Sequence, residues 1–130
     1  MSQQQVSPYI NFQGRAREAM EFYQKALGGK LDLQTSDERG VPKPAGPGDR
    51  ITHAKLDGDG VRIVGTDGHP NYPAKVGENV AIALNGTDKA RLTQSFNHLA
   101  EGGTIKMPLA EQGYLLDKFG INWVVSVDKT

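Results

Sequence analysis

The chain has 130 residues, no cysteine, and 15 basic residues against 15 acidic ones. Disulfides and thiolate metal sites are therefore excluded, and balanced charge without a basic stripe argues against a dedicated nucleic-acid surface. No apolar run reaches half a membrane span and the N-terminal Met1-Ser2-Gln3-Gln4-Gln5 lacks signal-peptide character, so the expectation is a cytoplasmic protein with no membrane partner.

In chain order, a first strand is predicted over Pro8–Phe12, followed by the turn signal Gln13-Gly14. A helix is predicted over about Arg15–Leu27, because Ala16, Ala19, Met20, Phe22, Tyr23, Ala26 and Leu27 recur at helical spacing. Gly28 suits its left-handed C-terminal cap. A second strand runs over about Lys30–Thr35. The stretch Ser36–Asp49 holds Pro42, Pro44 and Pro47 with three glycines, and reads as a long loop that is neither helix nor inner strand. Ile51–Leu56 and Val61–Thr66 form a hairpin through Asp57-Gly58-Asp59-Gly60. Asp67–Glu78 reads as a linker.

A second series follows: a strand at Asn79–Leu84, a helix capped by Thr87 or Asp88 and running to about Glu101, then strands at Thr104–Leu109, Gly113–Leu116 and Ile121–Val127. Leu92, Phe96, Leu99 and Ala100 form the buried stripe of the second helix. The two series are offset by 74 positions at Gly28 and Gly102, and by 60 at Asp57 and Asp117. A single 14-residue extension of the proline-rich loop reconciles them. The expected fold class is α+β: one domain made of two βαβββ repeats, about 7–67 and 79–127, whose mixed sheets must face each other to be buried.

Several ordered segments carry a family resemblance. Pro8-Tyr9-Ile10-Asn11-Phe12 with Ala16–Gly29, Ile51–Leu56, Leu99–Gly103 with Met107-Pro108-Leu109, and Asp117–Trp123 together resemble the PhnB-like branch of the glyoxalase/bleomycin-resistance/dioxygenase (vicinal oxygen chelate) superfamily. The resemblance covers about residues 7–127. It implies βαβββ modules curling around a cleft, a homodimer, and, in the metal enzymes of the superfamily, His, Glu or Gln ligands on the first and last strand of each module.

On those strands, Tyr9 and Asn11, then Val61, Arg62, Ile63 and Val64, then Asn79, Val80, Ala81 and Ile82, and finally Asn122, Trp123, Val124, Val125 and Ser126 offer neither histidine nor carboxylate, and Arg62 brings positive charge where a cation would sit. The expectation is accordingly no metal and no cofactor. His53 alternates with Ile51 and Lys55 and reads either as a polar or acid–base group in the cleft or as a structural histidine. Trp123, between Ile121 and Val125, reads either as core or as a platform for a flat ligand. Ile10 and Phe12 suit packing against the helices, so Tyr9 and Asn11, on the opposite strand face, are expected to face the cleft. Arg62 suits a carboxylate or phosphate, or a solvated face. Asp37, Glu38 and Arg39 can close over a ligand or sit in water. His69 and His98 read as surface residues.

The expected function is a metal-independent small-molecule-binding protein whose ligand site comprises Tyr9, Asn11, His53, Arg62 and Trp123. One alternative is a metal-dependent lyase, isomerase or dioxygenase using His53. Another is an antibiotic-sequestering resistance protein, as bleomycin resistance would require. A methyltransferase is not expected, because no glycine-rich loop follows the first strand.

Overall fold

Period-two alternation fixes which residues of each strand can meet a helix, and the apolar helical stripes decide which face is covered. The computed structural model describes residues 7–58, 60–68 and 80–128. Its elements are β1 (Tyr9–Asn11), α1 (Ala16–Leu27), β2 (Lys30–Ser36), β3 (Pro42–Pro44), β4 (His53–Gly58), β5 (Val61–Thr66), β6 (Ala81–Gly86), α2 (Lys89–Ala100), β7 (Thr104–Met107), β8 (Gln112–Leu116) and β9 (Asn122–Val127). The chain divides into two compact units, Met1–Ala74 and Lys75–Thr130.

In the first unit the sheet order is β1-β5-β4-β2-β3, with β1 parallel to β5 and the other pairs antiparallel. Helix α1 covers one face. Its stripe Ala16, Ala19, Met20, Phe22 and Tyr23 is buried, and Phe12 closes the core with an aromatic contact of 5.9 Å between ring centroids to Tyr23. Burying side chains such as Met20 and Leu56 contributes about 1.5–3 kcal/mol each. Gly65 lies under this packing: a Cβ there would come within 2.6 Å of the Phe12 ring and 3.4 Å of Met20 Sδ. The same face therefore carries Ile10, Ala54, Leu56 and Ile63, which pair with or alternate with Gly65.

Helix α1 begins without a capping side chain of its own, since Arg15 makes no such bond. The acceptor comes from a distant residue. Asp67, just past β5, takes the Ala16 N–H on Oδ1 at 2.8 Å and the Ile51 N–H on Oδ2 at 2.7 Å. Its own N–H donates to the Ile51 carbonyl, and its carbonyl accepts from Gly14, both at 2.9 Å. A carboxylate at a helix N-terminus also meets the positive end of the helix dipole.

The long loop departs from expectation in one respect. Pro42–Pro44 forms the edge strand β3, pairing Thr35 with Lys43. An edge position tolerates proline, whose missing N–H would break an inner ladder. Asp37 closes the β2–β3 turn by accepting from Arg39 N–H at 2.8 Å and Val41 N–H at 2.9 Å, so its carboxylate is structural. Further along, Arg17 on α1 holds the loop by donating to the Gly46 carbonyl at 2.6 Å.

The second unit repeats the topology without the extra strand: order β6-β9-β8-β7, β6 parallel to β9, the rest antiparallel. Asp88 caps α2, its Oδ1 accepting from Arg91 N–H at 3.2 Å. Leu92, Ser95, Phe96 and Leu99 are buried, with Ser95 rather than Ala100 completing the stripe. Gly113 lies beneath Phe96, where a Cβ would come within 2.8 Å of the ring. Trp123 and Leu115 pair on that same face, which also holds Val125. Asp117, almost fully buried, accepts from Phe119 N–H at 2.9 Å, Ile121 N–H at 3.0 Å and Trp123 Nε1 at 2.9 Å. One carboxylate thus shapes the β8–β9 turn and orients the indole.

Both carboxylates predict large local costs. Asp67→Ala strands two backbone N–H groups and should lower stability by about 2–4 kcal/mol, with Asp67→Asn losing roughly half as much; thermal denaturation of the two variants checks the ranking. Asp117→Ala should cost a similar amount and shift the emission of Trp123, the only tryptophan, while the equivalent change at exposed Asp49 should leave emission unaltered.

Candidate functional site

The register of the first sheet determines which polar side chains share the face away from α1. Tyr9 pairs with Val64, Val64 with Lys55, and Lys55 with Asp32. Asn11 pairs with Thr66, and His53 pairs with Gln34 one step beyond the Ala54–Gly65 pair. Arg62 pairs with Asp57, which in turn pairs with Lys30. This open face thus carries Tyr9, Asn11, His53 and Arg62 together, with Lys55, Gln34 and Thr66 among them. Tyr9 and His53 are exposed, while Asn11, Lys55 and Arg62 are partly covered.

Local contacts hold some of these groups in place. Arg62 Nη1 lies 3.3 Å from Asp57 Oδ2. Gln34 Nε2 donates to Asp32 Oδ2 at 3.4 Å. Asn11 Oδ1 accepts the Gln13 N–H at 2.8 Å, and Gln13 takes a left-handed conformation with φ 53°. Gly68, at φ 81°, packs on the Asn11 carboxamide so closely that a Cβ would overlap Oδ1 and lie 2.7 Å from Nδ2. Gly68 N–H donates to Thr66 Oγ1 at 3.1 Å. The turn after β5 therefore grips the end of β1.

Four of the five residues expected at the site thus fall on one face of one sheet. Trp123 is placed otherwise. It is 1% exposed, on the face of the second sheet that packs against α2, with its indole N–H given to Asp117. Of the two roles weighed for it, the geometry is that of core. Ile51 is also displaced from the expected alternation with His53: the chain bends at Thr52 before β4 begins, and Ile51 is buried. His98 is partly buried, its Nδ1 3.4 Å from Glu101 Oε2. His69 and Asp59 lie outside the described residues. Among the described residues, no three His, Asp or Glu side chains are grouped to hold a metal ion. Sequence reasoning missed Gly68 and Asp67 as the devices that fix Asn11 and the adjoining strand end. Their only signal was position directly after a predicted strand.

A βαβββ unit and one of the same topology with an added edge strand, each a mixed sheet covered by one helix, place the protein in the α+β glyoxalase/bleomycin-resistance fold class. The chain belongs to the family described as 3-demethylubiquinone-9 3-methyltransferase, whose model matches residues 4–126, and within it to the PhnB-like branch. It is similar to PA1353 from Pseudomonas aeruginosa: 35% identical, covering 98% of this chain and 100% of that one, with a TM-score of 0.83. It is 29% identical to protein YjdN of Escherichia coli (strain K12) over 95% of each. The PhnB protein from Bacillus cereus, 24% identical, shares the fold with a TM-score of 0.75 over 96% of this chain and all of that one. No helix among the described residues is long and apolar enough to cross a membrane.

The Gly68–Asn11 contact makes a direct prediction. Gly68→Ala combines a backbone conformation unfavourable to alanine with overlap at the carboxamide, and should cost about 1–3 kcal/mol. Amide NMR should show the displacement at Asn11 and Gln13, with the second unit unperturbed.

Proposed function

We propose that this protein binds a small polar molecule without a metal, on the open face of its first sheet, through Tyr9, Asn11, His53 and Arg62. The observation that supports this reading is the shared register: four chemically capable side chains, widely separated in sequence, on one face of three adjoining strands. A solvated face would explain single polar residues. The Asn11 carboxamide is in addition held in place by a backbone N–H and a closely packed glycine. Homodimer formation and a cytoplasmic location belong to the same proposal.

The reading in which His53 serves a divalent metal requires at least two further ligands, and the neighbours that the register gives it are Gln34 and Thr66. The methyl transfer named in the family's description is a separate possibility for ligand screening. The turn after β1 is Gln13-Gly14, not a glycine-rich loop.

Native mass spectrometry of protein purified without chelators tests the proposal, reporting oligomer mass, metal and retained ligand together. The expected outcome is a dimer without stoichiometric metal. A ligand found by screening, a methyl donor included, should lose at least about tenfold in affinity on Tyr9→Ala or His53→Ala. Stoichiometric zinc, nickel, manganese or iron, lost on His53→Ala, would overturn it.

A further inference from the structure

The orientation of one side chain sharpens the proposed site into a chemical class. A carboxamide presents an acceptor on one end and two donors on the other, and the surrounding network decides which is which. At Asn11 that decision is unambiguous. The Gln13 backbone N–H, 2.8 Å away, can only donate, so the atom it meets is the oxygen. Gly68 packs against the same group, where a Cβ would lie 2.7 Å from Nδ2 and 2.8 Å from Cγ. The Nδ2 end therefore keeps both of its N–H donors, and none of the described residues accepts from them.

The corner of the sheet around Asn11 has the same polarity. Thr66, its partner on β5, accepts the Gly68 N–H at 3.1 Å through its hydroxyl oxygen and keeps its hydroxyl proton to donate. His53 supplies at least one N–H in either protonation state. The Lys55 ammonium donates only, and sits beside Val64 with Tyr9 on the other side. The carboxylates of this face lie elsewhere. Asp57 is paired with Arg62 at 3.3 Å, and Asp32 is on β2, three strands from Asn11, where it accepts from Gln34. At about 4.8 Å per strand, that separates Asp32 from Asn11 by roughly 14 Å, whereas Asn11 and His53 flank Thr66 at roughly 10 Å between Cα atoms. That span holds one small group between the two side chains.

We infer that Asn11 sets the specificity of this face and that the group it receives is an anionic oxygen acceptor, a phosphate or a carboxylate. This rests on the ligand-binding reading of the same face and adds the sign and hydrogen-bonding character of the ligand. The selection works by exclusion as well as attraction. A ligand presenting an ammonium to this corner would set donor against donor and gain no hydrogen bond there, whereas an anionic oxygen meets donors from several side chains.

Asn11→Asp separates this role from a structural one. The aspartate keeps an oxygen for the Gln13 N–H and replaces the two donors by negative charge, whereas Asn11→Ala removes both functions. Amide NMR titrations of the full chain with inorganic phosphate, with acetate and with ethylammonium give the readout. Phosphate and acetate should shift Asn11, Thr66 and His53, and ethylammonium should not. In Asn11→Asp, phosphate affinity should fall at least about tenfold while the Gln13 amide stays near its original position, the scale expected when a charge-assisted hydrogen bond becomes a like-charge contact. Tight phosphate binding by Asn11→Asp, shifts at these residues with ethylammonium but with neither anion, or no shift with any probe would overturn the inference. Failure of the parent reading looks different: a ligand from the screen whose footprint avoids Tyr9, Asn11, His53 and Arg62 altogether.

Discussion

The first unit depends on the carboxylate of Asp67. The N-cap residue of α1, Arg15, makes no side-chain capping bond, and the Ala16 N–H is received from elsewhere in the chain. Asp67 does this from the end of β5, and with its second oxygen and its backbone it also fixes Ile51, just ahead of β4. The ends of three elements are therefore defined by one residue. Its neighbours on either side, Thr66 and Gly68, reach Asn11 by register and by packing. The constraint that seats the helix on one face of the sheet is continuous with the one that immobilises a polar side chain on the other.

The two units show what such a scaffold holds constant and what it leaves free. Each places a glycine under an aromatic ring of its core, Gly65 beneath Phe12 and Gly113 beneath Phe96, because helix and sheet approach too closely there for a side chain. Each uses a single aspartate to collect several backbone N–H groups, Asp67 in one and Asp117 in the other. The open faces have diverged. The first carries Lys30, Asp32, His53, Lys55, Asp57 and Arg62. The second carries Ala81, Ala83, Asn85, Asn122, Val124, Ser126, Tyr114 and Leu116 along the β6–β9–β8 register, and its charge comes from β7, where Lys106 Nζ lies 5.4 Å from the Tyr114 ring centroid. Helix-facing positions must satisfy close packing in both units. Positions on the other face are under no such constraint, and that is where chemistry can change without loss of the fold.

This division also explains what could be read from the sequence. Both helices, a cap at Thr87 or Asp88, of which the structure uses Asp88, and the alternation of Tyr9 and Asn11 against Ile10 and Phe12 follow from period and punctuation, which are local properties. The strand β3 was hidden because proline argues against strands in general, and only its place at the sheet edge removes the objection. Trp123 was ambiguous because strand alternation does not say which face the helix covers. Its partner Asp117, buried and bonded to the indole, resolves that in three dimensions. The anchoring role of Asp67 spans 51 positions to Ala16, and no local pattern carries information over such a separation.

The side chains of the first unit's open face suit one sign of ligand better than the other. A cation needs converging lone pairs, and an anion needs converging N–H and O–H groups. On the open face of β1, the carboxamide oxygen of Asn11 is the natural lone-pair donor, and it is already committed to a backbone N–H. On β5 the Thr66 oxygen likewise receives a backbone N–H, and Arg62 offers only donors. The turn that seats α1 thus draws on both of these oxygens, while the Asn11 Nδ2 donors take no partner among the described residues. A cation at this corner would compete with the Gln13 and Gly68 N–H groups for the same two oxygens, and displacing them would disturb the turn that leads into Asp67's helix contact. The polarity of the proposed site is in this sense tied to the folding of its own scaffold.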